Sequence, residues 1–564
     1  MIFKSQFPTL EIPTTDFASF CFVEARREYS RKLNQKDFAI CDGPSGKQLS
    51  LFDIERLSNS FASGLVNNFN FKDKDVVAVF SPNSIYYPIV VFGTLMCGGI
   101  CSLANPTYTA RELAHQLKDS NVKALATQSH LLNVAKEAIK ISGLNIPDSR
   151  IILLDLEASP PAPITHISSF FSDKYYKRFK IYTPEECKER VAILFYSSGT
   201  TGLSKGVMLT HRNLISAILQ NTIFNYNDGF FDKTQFLNRI LAILPHYHSY
   251  GFVLSLMVGF CTATGVVTVP SFTIESFLST IQKYRITFAH VVPPIIISIL
   301  NYPKLPDYDL SSCRFFMTGA APLGKDVLAK FKKTLPNAYM LTSYGMTEAS
   351  PAVSLGFKSH PHDGSSGVLL SSMEAKVIDE DGNLLGYNQI GELCVRGPNI
   401  MKGYLNNEEA TKNSIDSDGF MHTGDIAYVG KNENYYIVDR KKELIKYKGF
   451  QVPPAELESL LYLHDDVADS AVIGIYLEDK ATEVPKAFIT LSSRNKDLTK
   501  YQMDLKVRQI QEWVDSQVAP YKKLRGGIEV LEIIPKTASG KILRRDLRNM
   551  TNIKKKLEKT KNKL

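Results

Sequence analysis

Along most of the chain two textures alternate. Short β-branched and apolar runs are followed by longer segments whose apolar residues recur at helical spacing. DVVAVFSP (75–82) reads as a strand and SIYYPIVVFGTLMCGG (84–99) as a buried helix. VKALAT (122–127), RIILLD (150–155), NRILAILP (238–245) and RITFAHVVPP (285–294) read as further strands. RFFMTGAAP (314–322) gives a strand and a small-residue turn, and LGKDVLAKFKKTL (323–335) an amphipathic helix. Such alternation predicts parallel sheets covered by helices. After YYIVDRKKELIKYKGFQVPPAELE (435–458) the texture changes. SAVIGIY (470–476), KAFITL (486–491) and IEVLEII (528–534) read as strands, and YQMDLKVRQIQEWVDSQ (501–517) as a helix. The expected class is α/β: a large N-terminal domain, 1–438, of mainly parallel, helix-covered sheets, and a small mobile α+β domain, 439–564.

Two uncharged stretches, 85–106 and 250–270, are long enough to span a membrane. Both are interrupted by Gly and Thr and end in a β-rich piece, so each is read as a buried helix followed by a buried strand. No transmembrane span is expected. The N-terminus lacks a charged segment leading into an apolar core, so no secretory leader is expected.

Composition changes this picture little. A length of 564 residues suits more than one domain, and 44% hydrophobic with 22% charged residues is globular. The net charge of +9 raises the question of nucleic acid. From Lys541 onward there are ten Lys/Arg and two Asp/Glu, which leaves about +1 for everything before. A basic end with neither interleaved aromatics nor zinc-finger spacing reads as solvated, and nucleic acid is excluded as a partner. The eight cysteines are dispersed without metal-ligand spacing, as in a reducing compartment.

The candidate chemistry begins at YSSGTTGLSKGV (196–207), directly after the apolar VAILF. It is not a Walker A loop, because Ser204 precedes Lys205 and Gly206 follows it. Its glycines would still let backbone N–H groups approach an anion, and Lys205 would add a point charge. In SYGMTEASP (343–351), Thr347 could donate to a phosphate and Glu348 could hold Mg2+. HTGDIAY (422–428) places Asp425 in a Gly turn, where a carboxylate can accept from ribose hydroxyls. PKTASGKILRR (535–545) presents Lys541 after a Ser-Gly turn.

Together with TGAAPLGK (318–325), DGFMHTGDIAYV (418–429) and the 435–458 segment, these motifs resemble the acyl-adenylate-forming enzymes. Within them the chain looks most like 4-coumarate–CoA ligase and related peroxisomal acyl-CoA synthetases. The resemblance implies an ATP-dependent acid–CoA ligase working in two steps. A carboxylate first displaces pyrophosphate from ATP to give acyl-AMP, and the thiol of coenzyme A then takes the acyl group. It implies ATP, Mg2+ and coenzyme A as cofactor and co-substrates. By the same resemblance Ser197, Ser198, Gly199, Thr200, Thr201, Gly202 and Lys205 cradle the β- and γ-phosphates. Thr347 contacts the α-phosphate and Glu348 holds the metal. Ala320, Thr342, Ser343 and Tyr344 border the adenine, while Asp425 and Arg440 hold the ribose. Lys541 is the catalytic lysine and Lys442 the hinge. After rotation Lys448 and Gly449 line the coenzyme A approach, and Lys446 and Gln451 touch the adenylate or phosphates. His248 is a second catalytic candidate, gating the acyl site or approaching the acyl carboxylate, with Tyr250 and Leu355 at acyl-pocket positions.

Three departures bear on the acid. Thr342-Ser343 stands where plant 4-coumarate ligases usually read Gln-Gly, Ser271 stands in place of a lysine that contacts coenzyme A, and Ser371-Ser372 replaces a common Pro-Gly. The acid is therefore expected to be an aromatic propenoic acid or a medium to long fatty acid. A luciferase-like or carrier-directed use of the acyl-AMP stands as the alternative. Asn562-Lys563-Leu564 resembles the Ser-Lys-Leu peroxisomal address, so a peroxisomal import receptor is expected as a partner, with a cytoplasmic location as the alternative.

Overall fold

The computed structural model describes residues 1–31, 38–155, 162–172, 176–197, 204–321, 323–357, 364–448, 450–477, 482–492, 495, 498–537 and 540–561, save 228–237. Among them the large domain holds sheets of eight, nine and five strands. The centre of the eight-stranded sheet is Val191–Ser197, Ile100–Ala104, Val76–Phe80, Val122–Thr127 and Ile151–Leu153, all parallel. The nine-stranded sheet is built around Tyr339–Gly345, Phe315–Thr318, Phe288–Val291, Arg239–Ala242 and Gly265–Thr268, again parallel. Val76–Phe80, Gly265–Thr268, Phe288–Val291 and Phe315–Thr318 are buried on both faces, which is why they read as continuous apolar runs. The helix Tyr87–Met96 is buried along its whole length and leads into the strand Ile100–Ala104, as the 85–106 pattern predicts. No described helix is long and apolar enough to cross a membrane.

The third sheet departs from the parallel expectation. Its five strands, Ile2–Lys4, Glu374–Ile378, Gly391–Arg396, Met421–Val429 and Tyr435–Arg440, are all antiparallel. Its strand Glu374–Ile378, next to the edge strand Ile2–Lys4, alternates half-exposed and buried residues, the mark of a sheet with one face toward solvent.

Beyond Arg440 come a two-stranded hairpin, Ile445–Tyr447 with Phe450–Val452, and a three-stranded sheet of Val467–Leu477, Thr482–Leu491 and Ile528–Val530. The helices Pro454–Leu461 and Lys500–Gln517 cover this sheet around a separate core that includes Val472, Ile489, Ile510 and Val514. The strand expected over 528–534 stops at Val530, and the expected helix over 323–335 begins at Lys325. The small domain rests on the large one at close range. A Cβ on Gly540 would lie 3.0 Å from Val292, and one on Gly324 would lie 3.0 Å from Ser459. All eight cysteines are reduced and buried.

Candidate active site

A cavity of about 1160 Å³ opens where the ends of all three large sheets meet the small domain. Ser197 and Lys205 reach its wall as the last and first residues of paired antiparallel strands, lying opposite one another in register. The loop between them carries Ser198, Gly199, Thr200, Thr201 and Gly202 and lies outside the described residues, as does Gly449. Its two ends are held firmly. Tyr196 donates its hydroxyl to Asp119 Oδ2 at 2.7 Å, and a ring nitrogen of His115 is 3.0 Å from the Ser204 carbonyl oxygen.

Glu348 is fixed from two sides. Ser197 Oγ donates to its Oε1 at 3.2 Å and the Tyr404 hydroxyl donates to the same oxygen at 3.0 Å. The Tyr404 ring also sits 5.0 Å from Lys205 Nζ. Sequence reading missed Tyr404. It arrives only because the short strand Gly403–Tyr404 pairs with Lys205–Thr210, and nothing local in KGYL marks it. Thr347 is buried one residue away, where Ser249 Oγ donates to its Oγ1 at 3.4 Å.

The turn carrying Thr347 and Glu348 is tightly folded. Met346 N donates to Pro351 O at 2.7 Å, and Ser350 has a left-handed φ of 59°. Buried Asn399 completes it, with Nδ2 donating to the carbonyls of Ala349 (2.7 Å) and Ala352 (2.9 Å). Gly345 is required here, since a Cβ would lie 2.0 Å from the Pro351 carbonyl oxygen.

Opposite stands Asp425, directly across from Arg440 in the antiparallel pair. Its Oδ2 accepts the Tyr344 hydroxyl at 2.7 Å, and its Oδ1 lies 3.7 Å from Arg440 Nε. Burial raises its carboxyl above the usual range, and Arg440 opposes that rise. Ala320, with a left-handed φ of 69°, and Ser343 form an adjoining wall. Ser343 Oγ donates to Thr318 O at 3.1 Å and fills the space over Gly319.

Tyr250 opens a wide, π-type helical segment over Tyr250–Met257, and His248 enters from the bend two residues before it. Tyr250 N donates to His248 Nδ1 at 3.2 Å, and the Tyr250 hydroxyl is consumed by Met317 O at 2.8 Å, leaving an aromatic face. Burial, then the charge of Lys541, lowers the His248 pKa to about 4, so the imidazole is neutral at ordinary pH.

Lys541 comes from the small domain. Its amide donates to Thr537 Oγ1 at 3.1 Å, which closes the turn that presents it. Burial, helped by Arg440, lowers its pKa to about 8, while Glu348, Glu443 and Asp425 pull the other way. One cavity thus gathers cations at Lys205, Arg440 and Lys541 with carboxylates at Glu348 and Asp425. Such a wall can hold a polyphosphate and concentrate positive charge where an anion must be attacked.

Lys442 also lines the cavity, from an exposed turn. Thr342 does not, since its hydroxyl is turned onto Ser365 O at 2.5 Å. Leu355, expected at the acyl pocket, is fully buried in the neighbouring strand opposite Ser343, away from the cavity wall. Leu254, one helical turn beyond Tyr250, takes a place there instead. Lys446, Lys448 and Gln451 stand on the exposed Ile445–Val452 hairpin and do not line the cavity.

The sequence profile of the AMP-binding enzyme family matches residues 28–405, and that of the AMP-binding enzyme C-terminal domain matches 456–541. The chain is 37% identical to 4-coumarate-CoA ligase 1 of Narcissus pseudonarcissus over 97% of its own length and 96% of the relative's. It is 38% identical to 4-coumarate--CoA ligase 3 of Arabidopsis thaliana, over 97% and 93%. Among solved structures, an anthranilate CoA ligase in complex with anthranoyl-AMP superposes with a TM-score of 0.83 at 22% identity, covering 96% of this chain and 98% of that one.

Proposed function

The chain belongs to the AMP-binding enzyme family, and on that premise we propose the acid it activates, the residues that act and where it works. It is an ATP-dependent, AMP-forming acid–CoA ligase that proceeds through an acyl-AMP. The proposed acid is an aromatic propenoic acid of the 4-coumarate type. The near-full-length relatives named for that acid support this reading, as does the aromatic face that Tyr250 turns to the cavity beside Leu254.

In the first step the acid's carboxylate attacks the α-phosphorus of ATP and the bond to pyrophosphate breaks. Two anions must meet, so cationic groups set the rate. Lys541 bridges the carboxylate and the α-phosphate, Lys205 takes the terminal phosphates and Thr347 the α-phosphate. Asp425 and Arg440 hold the ribose beside Tyr344, with Ala320 and Ser343 at the adenine. Glu348 is the residue that would hold Mg2+, which would neutralise triphosphate charge. A carboxylate oxygen already fixed by Ser197 and Tyr404 suits a hard cation. Among the described residues no cluster of three ligating side chains occurs, so phosphate oxygens would complete the shell.

In the second step the small domain turns about Lys442. Lys541 withdraws, the Lys446–Gln451 hairpin approaches, and the thiol of coenzyme A displaces AMP from the acyl carbon. Neutral His248 flanks the acyl group.

The observation that carries the reading is the meeting of Lys541 with Glu348 and Asp425 in one cavity. The test is AMP release across a panel of hydroxycinnamic, benzoic and C8–C16 fatty acids, with and without coenzyme A. Turnover with 4-coumarate that depends on coenzyme A supports it. Preference for fatty acids would overturn the acid assignment, and full turnover without the thiol would point to another acceptor.

For location, the proposed address is Asn562-Lys563-Leu564, read by a peroxisomal import receptor. Deleting the tripeptide should leave ligase activity unchanged and move a tagged protein from peroxisomes to cytosol. Cytosolic signal with or without it would refute the address.

A further inference from the structure

The strand Tyr435–Arg440 ends the antiparallel sheet of the large domain, and its penultimate residue, Asp439, is 7% exposed. Its two carboxylate oxygens point to different partners. Oδ1 accepts Arg440 N at 2.7 Å, and Oδ2 accepts Ala455 N at 3.1 Å. Ala455 is the second residue of the helix Pro454–Leu461 in the small domain. That helix is preceded by Pro453, which has no side chain able to accept from the first-turn amides. Asp439 supplies the missing acceptor from the far side of Lys442.

The same helix leads on to the lysine. Glu458 is 7% exposed, and its Oε1 accepts Val472 N at 2.8 Å and Arg544 Nη2 at 2.6 Å. Arg544 Nε also donates to Val472 O at 3.1 Å. Arg544 lies three residues after Lys541. One turn later Arg548 Nη2 donates to Glu443 Oε2 at 2.7 Å, immediately after Lys442. Of these side-chain bonds, the one from Ala455 to Asp439 is the one that spans Lys442.

We propose that Asp439 is a positioning residue: a cap lent across the hinge, which holds the small domain in the setting that delivers Lys541 to the cavity. The proposal rests on the two-step reading above. Turning about Lys442 must break the Asp439–Ala455 bond. The bond therefore favours adenylation and opposes the move to thioester formation. Glu458 and Arg544 transmit the position of the helix to the Lys541 turn, because Glu458 is buried, Arg544 is mostly covered, and both are bonded to the same strand.

The test uses the full-length chain with Asp439→Ala and Asp439→Asn. Asparagine keeps an acceptor oxygen for Ala455 N. In Asp439→Ala, adenylation should fall roughly fivefold to tenfold, the size of a lost cap bond, while thioester formation from supplied acyl-AMP is kept or quickened. Without ligands, amide exchange should rise at Ala455 and also in the turn 536–541. Asp439→Asn should recover most of both effects. Where the alanine variant does not fold, Asp439→Ser, too short to span the gap, takes its place. Equal loss of both half-reactions, or exchange that rises at Ala455 but not around Lys541, would overturn the proposal. If the wild-type chain released no AMP with any acid, the ligase reading would fail, while the exchange data would still judge the cap.

Discussion

Burial and the neighbouring Arg440 lower the Lys541 pKa to about 8 from an ordinary 10.5, so its charge is present below about pH 8 and lost above it. The unfolded chain binds the extra proton between these values. Stability linked to this lysine is therefore present above 10.5 and lost as pH falls through about 8. The role proposed for Lys541 needs the opposite, the charged form. kcat/KM for adenylation should accordingly show an alkaline fall centred near pH 8, and thioester formation from supplied acyl-AMP should not. His248, at about 4, should add no acid limb between about pH 5 and 7. Lys541→Ala should cost adenylation roughly 10²- to 10³-fold and leave the thioester step within a few-fold, as single-turnover assays would read. The polar residues at this scale were visible in the sequence as types at spacings: Lys205, Glu348, Asp425 and Lys541 all line the cavity. Tyr404 and Asp119 were not, because strand pairing brings the first to Glu348 and packing of the helix Ala110–Asp119 brings the second to Tyr196, neither marked by a local pattern.

Strands buried on both faces advertise themselves as apolar runs, and Val76–Phe80, Val122–Thr127 and Phe315–Thr318 fall where those runs stand. Elements shaped by close approach do not. The turn after Tyr339–Gly345 depends on a backbone contact at Gly345 that no periodicity reports. Gly345→Ala should destabilise the protein by roughly 2–3 kcal/mol, because the Pro351 carbonyl in its way is held by Met346 N. Chemical denaturation should show a lower midpoint with an unchanged slope. The wide turn over Tyr250–Met257 is likewise invisible in YGFVLSLM, since the same apolar residues would suit an ordinary helix. Leu355 stands outside the cavity wall for a related reason. A motif position fixes the strand but not which face of it meets the cavity.

At the scale of the whole molecule, the domain texture change near Arg440 was legible, but the seating of one domain on the other was not. It rests on small contacts such as Gly540 against Val292 and Gly324 against Ser459. Proline at Lys442 would fix φ near −65° and restrict Lys441. The Lys442→Pro chain should keep adenylation and lose thioester formation from acyl-AMP, measured where circular dichroism shows both proteins folded. Equal retention of the two half-reactions would remove Lys442 as the point of turning.

The eight buried cysteines acquire a meaning from the chemistry around them. An acyl-AMP is an acylating agent that waits for a sulfur nucleophile. Cys394 is buried, and that burial holds its thiol up at about 12, so it stays protonated at neutral pH. Cys97 is held at about 12 as well. With no cysteine thiol lining the cavity among the described residues, the enzyme offers the mixed anhydride no thiol of its own, and the acyl group is kept for the thiol that arrives from solution.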